Sequence, residues 1–145
     1  MTVRTAVPDD APALCALLEA LGYDPPDEQA MTRKISAYQE DSYQLLVAVE
    51  KDIVAGFISM HWFDIFHSTG LIGRITALCV SEGYRGQGVG STLMNEAERF
   101  LADQGCSDVE VTTHMRRTRT HEFYLQLGYT EDSKRYRKKL SQHPG

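Results

Sequence analysis

An α/β domain built on a mixed sheet is the fold class that this 145-residue chain predicts. Three observations carry it. Segments with strand alternation or strand length interleave with segments of helical spacing. Glycine, proline or Asp-rich turns part nearly every pair of them. The length and a hydrophobic content of 42% suit one core. The expected order is β-α-α-β-β-β-α-β-α-β-β, in a mostly antiparallel sheet flanked by helices. One domain is expected over residues 1–140, with residues 141–145 a frayed tail.

Thr2–Val7 alternates as a short strand. Pro8-Asp9-Asp10 reads as a helix start with Asp9 or Asp10 as cap. Leu14, Leu17, Leu18 and Leu21 then follow at helical spacing, and Gly22 stops the helix. After a loop with two prolines, Glu28–Tyr38 predicts a second helix with Met31, Ile35 and Tyr38 on one face. Tyr43–Glu50 and Ile53–Asp64 read as a hairpin turning at Lys51-Asp52. Leu71–Val80 is mostly apolar, as a central strand would be. A glycine-rich loop leads into a helix reaching about Gln104, with Gly105 its stop. Asp108–His114 is the next strand and Thr118–Leu127 a short helix ended by Gly128. Tyr129–Glu131 and Tyr136–Leu140 read as a last strand pair.

Composition removes several function classes. A net charge of −5 argues against a nucleic-acid binder, which would carry a basic face. No uncharged apolar run approaches a membrane span, and the N-terminus lacks the apolar stretch of a signal peptide. Cys15, Cys79 and Cys106 are odd in number and show no C-x-x-C pair, so a reduced, cytoplasmic setting is expected. No metal site is expected.

The stretch Tyr84-Arg85-Gly86-Gln87-Gly88-Val89-Gly90-Ser91 lies between an apolar strand and a helix. Glycines let the main chain turn tightly and approach a ligand, and a helix N-terminus offers unpaired N–H donors to an anion. A mononucleotide P-loop would need a lysine after the last glycine, and none follows Gly90. A dinucleotide fingerprint would need the loop after the first strand of a βαβ unit, and this loop comes late in the chain. Arg85-Gly86-Gln87-Gly88-Val89-Gly90 instead fits Arg/Gln-x-x-Gly-x-Gly/Ala. It resembles the acyl-CoA pyrophosphate loop of the GNAT superfamily of N-acyltransferases. Ala77-Leu78-Cys79-Val80 resembles that family's Leu-x-Val strand, and Phe123-Tyr124-Leu125-Gln126-Leu127-Gly128-Tyr129 its Phe-Tyr-x-x-x-Gly-Phe/Tyr element. The resemblance covers nearly the whole chain.

The resemblance implies acetyl-CoA as donor. Main-chain N–H groups from Arg85 to Gly90 would hold its pyrophosphate, with Ser91 adding a hydroxyl. Leu78, Cys79 and Val80 would line the pantetheine arm, with Leu78 and Val80 pairing to it as to an added strand. Arg117, in the basic run Arg116–Arg119 and at a position where the family often carries an asparagine, would meet a CoA phosphate or the pantetheine edge. The implied reaction is amine attack on a thioester. Freeing a lysine-like ammonium at pH 7 costs about 4.6 kcal/mol, so a base or a desolvating cleft is required. The departing thiolate needs a proton, and Tyr124 stands where the family carries its tyrosine acid. Several family members carry a glutamate base near the start of the strand before the loop; Ile72-Gly73-Arg74-Ile75-Thr76 has no acid there. Asp64, His67, His114 and ordered water remain as candidates for the base. Tyr23, Trp62, Asp64, His67 and Arg74 are expected around the acceptor, a primary amine of a small molecule or a protein. A CoA-binding module without catalysis is the rival reading. A homodimer is compatible with the family analogy.

Overall fold

The computed structural model describes residues 1–112, 118–131 and 136–141. Residues Met1–Thr113 form one compact unit and His114–Gly145 a second. In the first unit the elements are β1 (Thr2–Thr5), α1 (Ala11–Ala20), α2 (Glu28–Ala37), β2 (Tyr43–Glu50), β3 (Ile53–Asp64), β4 (Leu71–Val80), α3 (Val89–Asp103) and β5 (Cys106–Val111). The second unit holds α4 (Thr118–Gln126). The five strands lie in the order β1-β2-β3-β4-β5, antiparallel except for the parallel β4–β5 pair. The mixed sheet flanked by helices is therefore as expected.

Local chemistry accounts for most boundaries. Lys51 and Asp52 both take positive φ, 49° and 66°, which closes the β2–β3 hairpin tightly. Asp27 caps α2, its carboxylate accepting the Ala30 N–H at 2.8 Å. Gly22, Gly105 and Gly128 take the left-handed conformation where α1, α3 and α4 end. The start of α1 differs from expectation. Pro8–Asp10 forms a single 3-10 turn, and the Asp10 carboxylate reaches back to the Val7 N–H at 2.8 Å instead of capping forward. It also takes both Arg4 Nη atoms, at 2.8 and 2.9 Å, tying β1 to the helix start.

The sheet separates two cores. On one face, Leu45, Val47, Phe57 and Cys79 pack with Leu14 and Leu17 of α1 and Met31 and Ile35 of α2. On the other lies α3. A Cβ on Gly56 would come within 3.3 Å of Leu93, and one on Gly73 within 2.7 Å of Leu101, so these glycines let α3 lie close to the sheet. Burying a Leu or Ile at such positions is worth about 1.5–3 kcal/mol each.

Four readings of the sequence change. β1 stops at Thr5 instead of Val7. β4 is interior but fourth of five, leaving β3 at the centre. β5 runs Cys106–Val111, earlier than Asp108–His114. The expected closing strand pair is not formed: residues 129–131 and 136–140 are irregular. In the second of these, Arg137, Lys138 and Lys139 interrupt a segment whose apolar ends, Tyr136 and Leu140, are fully exposed, so it buries no apolar row.

Candidate active site

The site begins with a fault in the sheet. Ala77 of β4 pairs with Ser59 of β3, but the next β3 residue, Met60, pairs with Ile75. Thr76 is thus an extra residue, a β-bulge. Its hydroxyl lies 2.8 Å from the Ser59 hydroxyl, which holds the bulge to β3. Pairing of β4 with β5 ends at the same level, with Ile75 opposite Val111 and a Thr112 N–H bond to the Ile75 carbonyl at 3.2 Å. Beyond it, residues 76–80 have a strand partner only in β3 among the described residues.

Strand parity decides what that open edge presents. The Ser81 N–H bonds the Ala55 carbonyl at 2.8 Å, in register with the Gly56–Val80 pair. Antiparallel pairs alternate between bonded and non-bonded. Cys79 and Ala77 therefore direct their main-chain groups at β3, and Leu78 and Val80 direct theirs away from it. These are the two residues expected to act as a template for an added strand.

The edge runs into the glycine loop. A 3-10 turn at Glu82–Tyr84 uses the N–H groups of Tyr84 and Arg85, bonded to Ser81 O at 2.9 Å and Glu82 O at 3.3 Å. Gly86 and Gly88 then take φ of 77° and 81°, conformations that a Cβ disfavours. The side chain of Gln87 bonds Gly83 O at 3.1 Å and braces the turn. The N-cap of α3 is Gly88, which has no side chain to cap with. Among the described residues, the N–H groups of Gly86 through Ser91 carry no hydrogen bond. Open space lies in front of Gly83, Gly86 and Gly88, where an added Cβ would meet nothing within 4 Å. Of the N–H groups expected to form a cradle, Arg85 to Gly90, that of Arg85 is bonded to the Glu82 carbonyl. Six donors without a bond among the described residues, at a positive helix end, fit a pyrophosphate.

On the α1–α2 face, past the apolar core, a row of polar and aromatic side chains crosses the strands. His61 of β3 pairs with Tyr43 of β2 on one side and Arg74 of β4 on the other, and Arg74 pairs with Glu110 of β5. The His61 ring is stacked on Tyr43 (5.8 Å, 22°) and on Phe63 (5.4 Å, 25°). Arg74 lies over Phe63 at 5.0 Å and pairs with Glu110 at 3.1 Å. Arg74 Nε is buried without a partner, an unsatisfied donor of the kind concentrated at ligand sites. Burial, and then the positive charge of Arg74, push the His61 imidazole below the usual histidine value, while Glu110 opposes this.

The expected acceptor residues do not all meet there. Arg74 lies in the row. Trp62 points to the opposite face and packs edge-on against Phe100 of α3, at 5.4 Å. Asp64 shares the parity of Trp62, is exposed, and ends β3. His67 is exposed in the β3–β4 turn, and Tyr23 in the loop after α1. His114 and Arg117 lie outside the described residues. In the second unit Tyr124 is half-buried, edge-on to Phe123 at 5.2 Å and to Tyr129 at 5.9 Å. The Tyr129 N–H closes on the Tyr124 carbonyl at 3.0 Å. His61 and Glu110 were missed in the sequence. The parity of β3, with Phe57 and Ser59 two and four residues before His61, could have put His61 on a core-facing side, but only the register sets it against Arg74.

A family model described as "Acetyltransferase (GNAT) family" matches residues 11–129. An aminoalkylphosphonate N-acetyltransferase of Salmonella typhimurium is 32% identical over 95% of this chain and 90% of its own length. An N-alpha-acetyltransferase 30 of Schizosaccharomyces pombe is 23% identical, over 86% of this chain and 80% of its own. A solved putative acetyltransferase from Agrobacterium tumefaciens superposes with a TM-score of 0.85 at 20% identity, covering 96% of this chain and 99% of that one; it supports the fold alone.

Proposed function

Since the chain belongs to the acetyltransferase (GNAT) family and is an N-acetyltransferase, we propose that it moves an acetyl group from acetyl-CoA to the primary amine of a small molecule that also carries an anionic group, an aminoalkylphosphonate being the first to try. The observation that carries the donor half is the continuity of the outward-facing Leu78 and Val80 main chain with the bare N–H groups of Gly86–Ser91. Acetyl-CoA would supply the activated acetyl group as a thioester. Gly86, Gln87, Gly88, Val89, Gly90 and Ser91 hold the pyrophosphate in this reading. Leu78 and Val80 pair with the pantetheine arm, Cys79 backs that strand, and Arg85 and Arg117 meet phosphate oxygens. The thioester is thereby aimed at the gap that opens at Thr76.

The acceptor half rests on Arg74 and on the acceptor named for the Salmonella relative. A half-buried guanidinium that meets Glu110 through one Nη suits a phosphonate, phosphate or carboxylate. Tyr124 is the acid that returns a proton to the thiolate, uphill by only about 2 kcal/mol. The reading takes residues 1–140 as one catalytic domain working as a homodimer in the cytoplasm, where the free thiols of Cys15, Cys79 and Cys106 would stay reduced. Among the described residues no helix is long and apolar enough to cross a membrane.

The test is thiol release from acetyl-CoA with a panel of aminoalkylphosphonates, amino acids, polyamines and N-terminal peptides. Turnover is expected with the amines that bear an anion. Donor binding without release on any amine would favour the CoA-binding module. Release confined to peptides would favour a protein acetyltransferase, the reading that the Schizosaccharomyces relative supports.

A further inference from the structure

We propose that His61 is the general base of the acetyl transfer, taking the proton of the acceptor ammonium from its place on β3 beside Arg74. The inference rests on the reading of the chain as an amine acetyltransferase and supplies the base that β4 lacks.

Position carries the argument. The core under α1 and α2 ends at Leu45, Phe57 and Cys79, and His61 is the first titratable side chain beyond Ser59 on that face of β3. It pairs with Arg74, two residues before the bulge where β4 parts from β5. At about 3.3 Å per residue and 4.8 Å per strand, the His61 backbone stands about 11 Å from Leu78 on the open edge. A chain of ordered waters, each hydrogen bond about 2.8 Å long, links the imidazole to an acceptor amine across that distance. The ring is held on two sides, by Tyr43 and Phe63, so its plane is set while its edge stays open. Neither ring nitrogen has a hydrogen-bond partner among the described residues, and His61 is only half-buried. A free nitrogen edge is what a proton acceptor needs.

Its surroundings keep that nitrogen unprotonated near neutral pH. Among the described residues, the charged and titratable groups facing it are Tyr43 on β2, Arg74 on β4 and Glu110 on β5, with Tyr38, just after α2, behind Tyr43 at 5.2 Å. Burial and Arg74 favour the neutral ring, and Glu110 partly restores its basicity. The other candidates among the described residues fit less well. Asp64 has the opposite parity, and His67 sits in an exposed turn. The Ser59 and Thr76 hydroxyls bond each other.

In the step, one ammonium proton passes to the imidazole and the freed nitrogen lone pair forms the C–N bond to the thioester carbonyl carbon. The C–S bond breaks and its electron pair leaves on sulfur. Tyr124 protonates that thiolate and regains its proton from the second N–H of the amine. His61 then releases its proton to water. One ammonium and one thioester give one amide, one thiol and one proton.

The experiment is kcat/KM against pH, between about pH 5 and 9, for wild type, His61→Gln, Arg74→Gln and Glu110→Gln. The expected result for His61→Gln is about a 100-fold loss at pH 7 and an absent acidic limb, with the KM for acetyl-CoA unmoved. The loss should shrink for an acceptor whose amine is already neutral at the assay pH. Arg74→Gln should move the limb of the wild type to higher pH and Glu110→Gln to lower pH, which a packing role would not do. An independent readout is the NMR titration of the His61 imidazole, assigned by its absence in His61→Gln, with a midpoint expected below about 6.5. A folded His61→Gln that keeps the acidic limb overturns the proposal. So does an imidazole still protonated at pH 7. Should His61→Gln not fold, limb positions unmoved in Arg74→Gln and Glu110→Gln overturn it. A wild type that releases no thiol with any amine removes the acetyltransferase reading and the base together; an active wild type with an intact limb in His61→Gln removes the base alone.

Discussion

The two halves of β4 do different work. The half beyond the bulge, Ala77–Val80, pairs among the described residues with β3 alone and continues into a loop whose donors are main-chain N–H groups. The half before it, Leu71–Ile75, is paired on both sides and carries its chemistry on side chains, in a row with its neighbours on β3 and β5. One residue, Thr76, separates them. A main-chain site tolerates many side chains and is specified by glycines and parity. A side-chain site is specified by which residues the register brings together. The two helix N-termini make the same contrast: Asp27 satisfies that of α2 with its own carboxylate, and Gly88 leaves that of α3 bare.

The largest effect should come from outside both halves. Tyr124→Phe is expected to lower kcat by about 100-fold or more while leaving acetyl-CoA affinity within twofold, a split that steady-state kinetics with a donor titration would resolve. Unchanged kcat at saturating donor would remove Tyr124 as the acid.

Next, Arg74→Ala should raise the KM for an anion-bearing amine by roughly 10- to 100-fold, the worth of one charge-assisted contact of about 1.5–3 kcal/mol. It should move the KM of an uncharged or polyamine acceptor much less. Equal effects on both acceptor classes would mean that Arg74 only supports the sheet.

Gly88→Ala tests the main-chain half. At φ 81° a Cβ costs about 1–2 kcal/mol, and the methyl enters the open space in front of the loop. Calorimetry should show acetyl-CoA binding weakened by about tenfold, and the acceptor KM at saturating donor should stay put. A shift in acceptor KM instead would blur the division between the two halves.

The smallest effect lies at the scaffold under both. Arg4 hydrogen bonds hold the Asp10 carboxyl below the usual carboxylate value, against the opposing effect of burial, with the Val7 N–H adding to them. A depressed folded pKa stabilises the protein above the unfolded value of about 3.9 and loses that contribution as pH falls through the folded value. Asp10→Asn should therefore destabilise by about 1–1.5 kcal/mol at pH 7. The gap to wild type in denaturant melts should close as the pH falls below about 4. A gap that persists at acid pH would assign the role of Asp10 to packing.

Much of this molecule was legible without coordinates. The bounds of β2, β3 and β4 and the start of α2 follow from apolar runs and turn residues next to one another in the chain. The glycine loop was legible for the same reason, since a tight turn and a helix start are set by adjacent residues. Tyr136–Leu140 misleads because it reads as a strand while carrying no apolar row to be buried.

By itself, then, the amino-acid sequence determined the sheet-and-helix order of the first unit, the family, and the loop with its glycines at the positions of positive φ. Each single element and motif behind these is encoded within about a dozen consecutive residues. The tertiary structure alone decided where β4 parts from β5, that Leu78 and Val80 face outward, that Trp62 serves the α3 face, and that His61, Arg74 and Glu110 share a row. Those depend on register between strands far apart in the chain, where a slip of one residue turns every side chain to the other face.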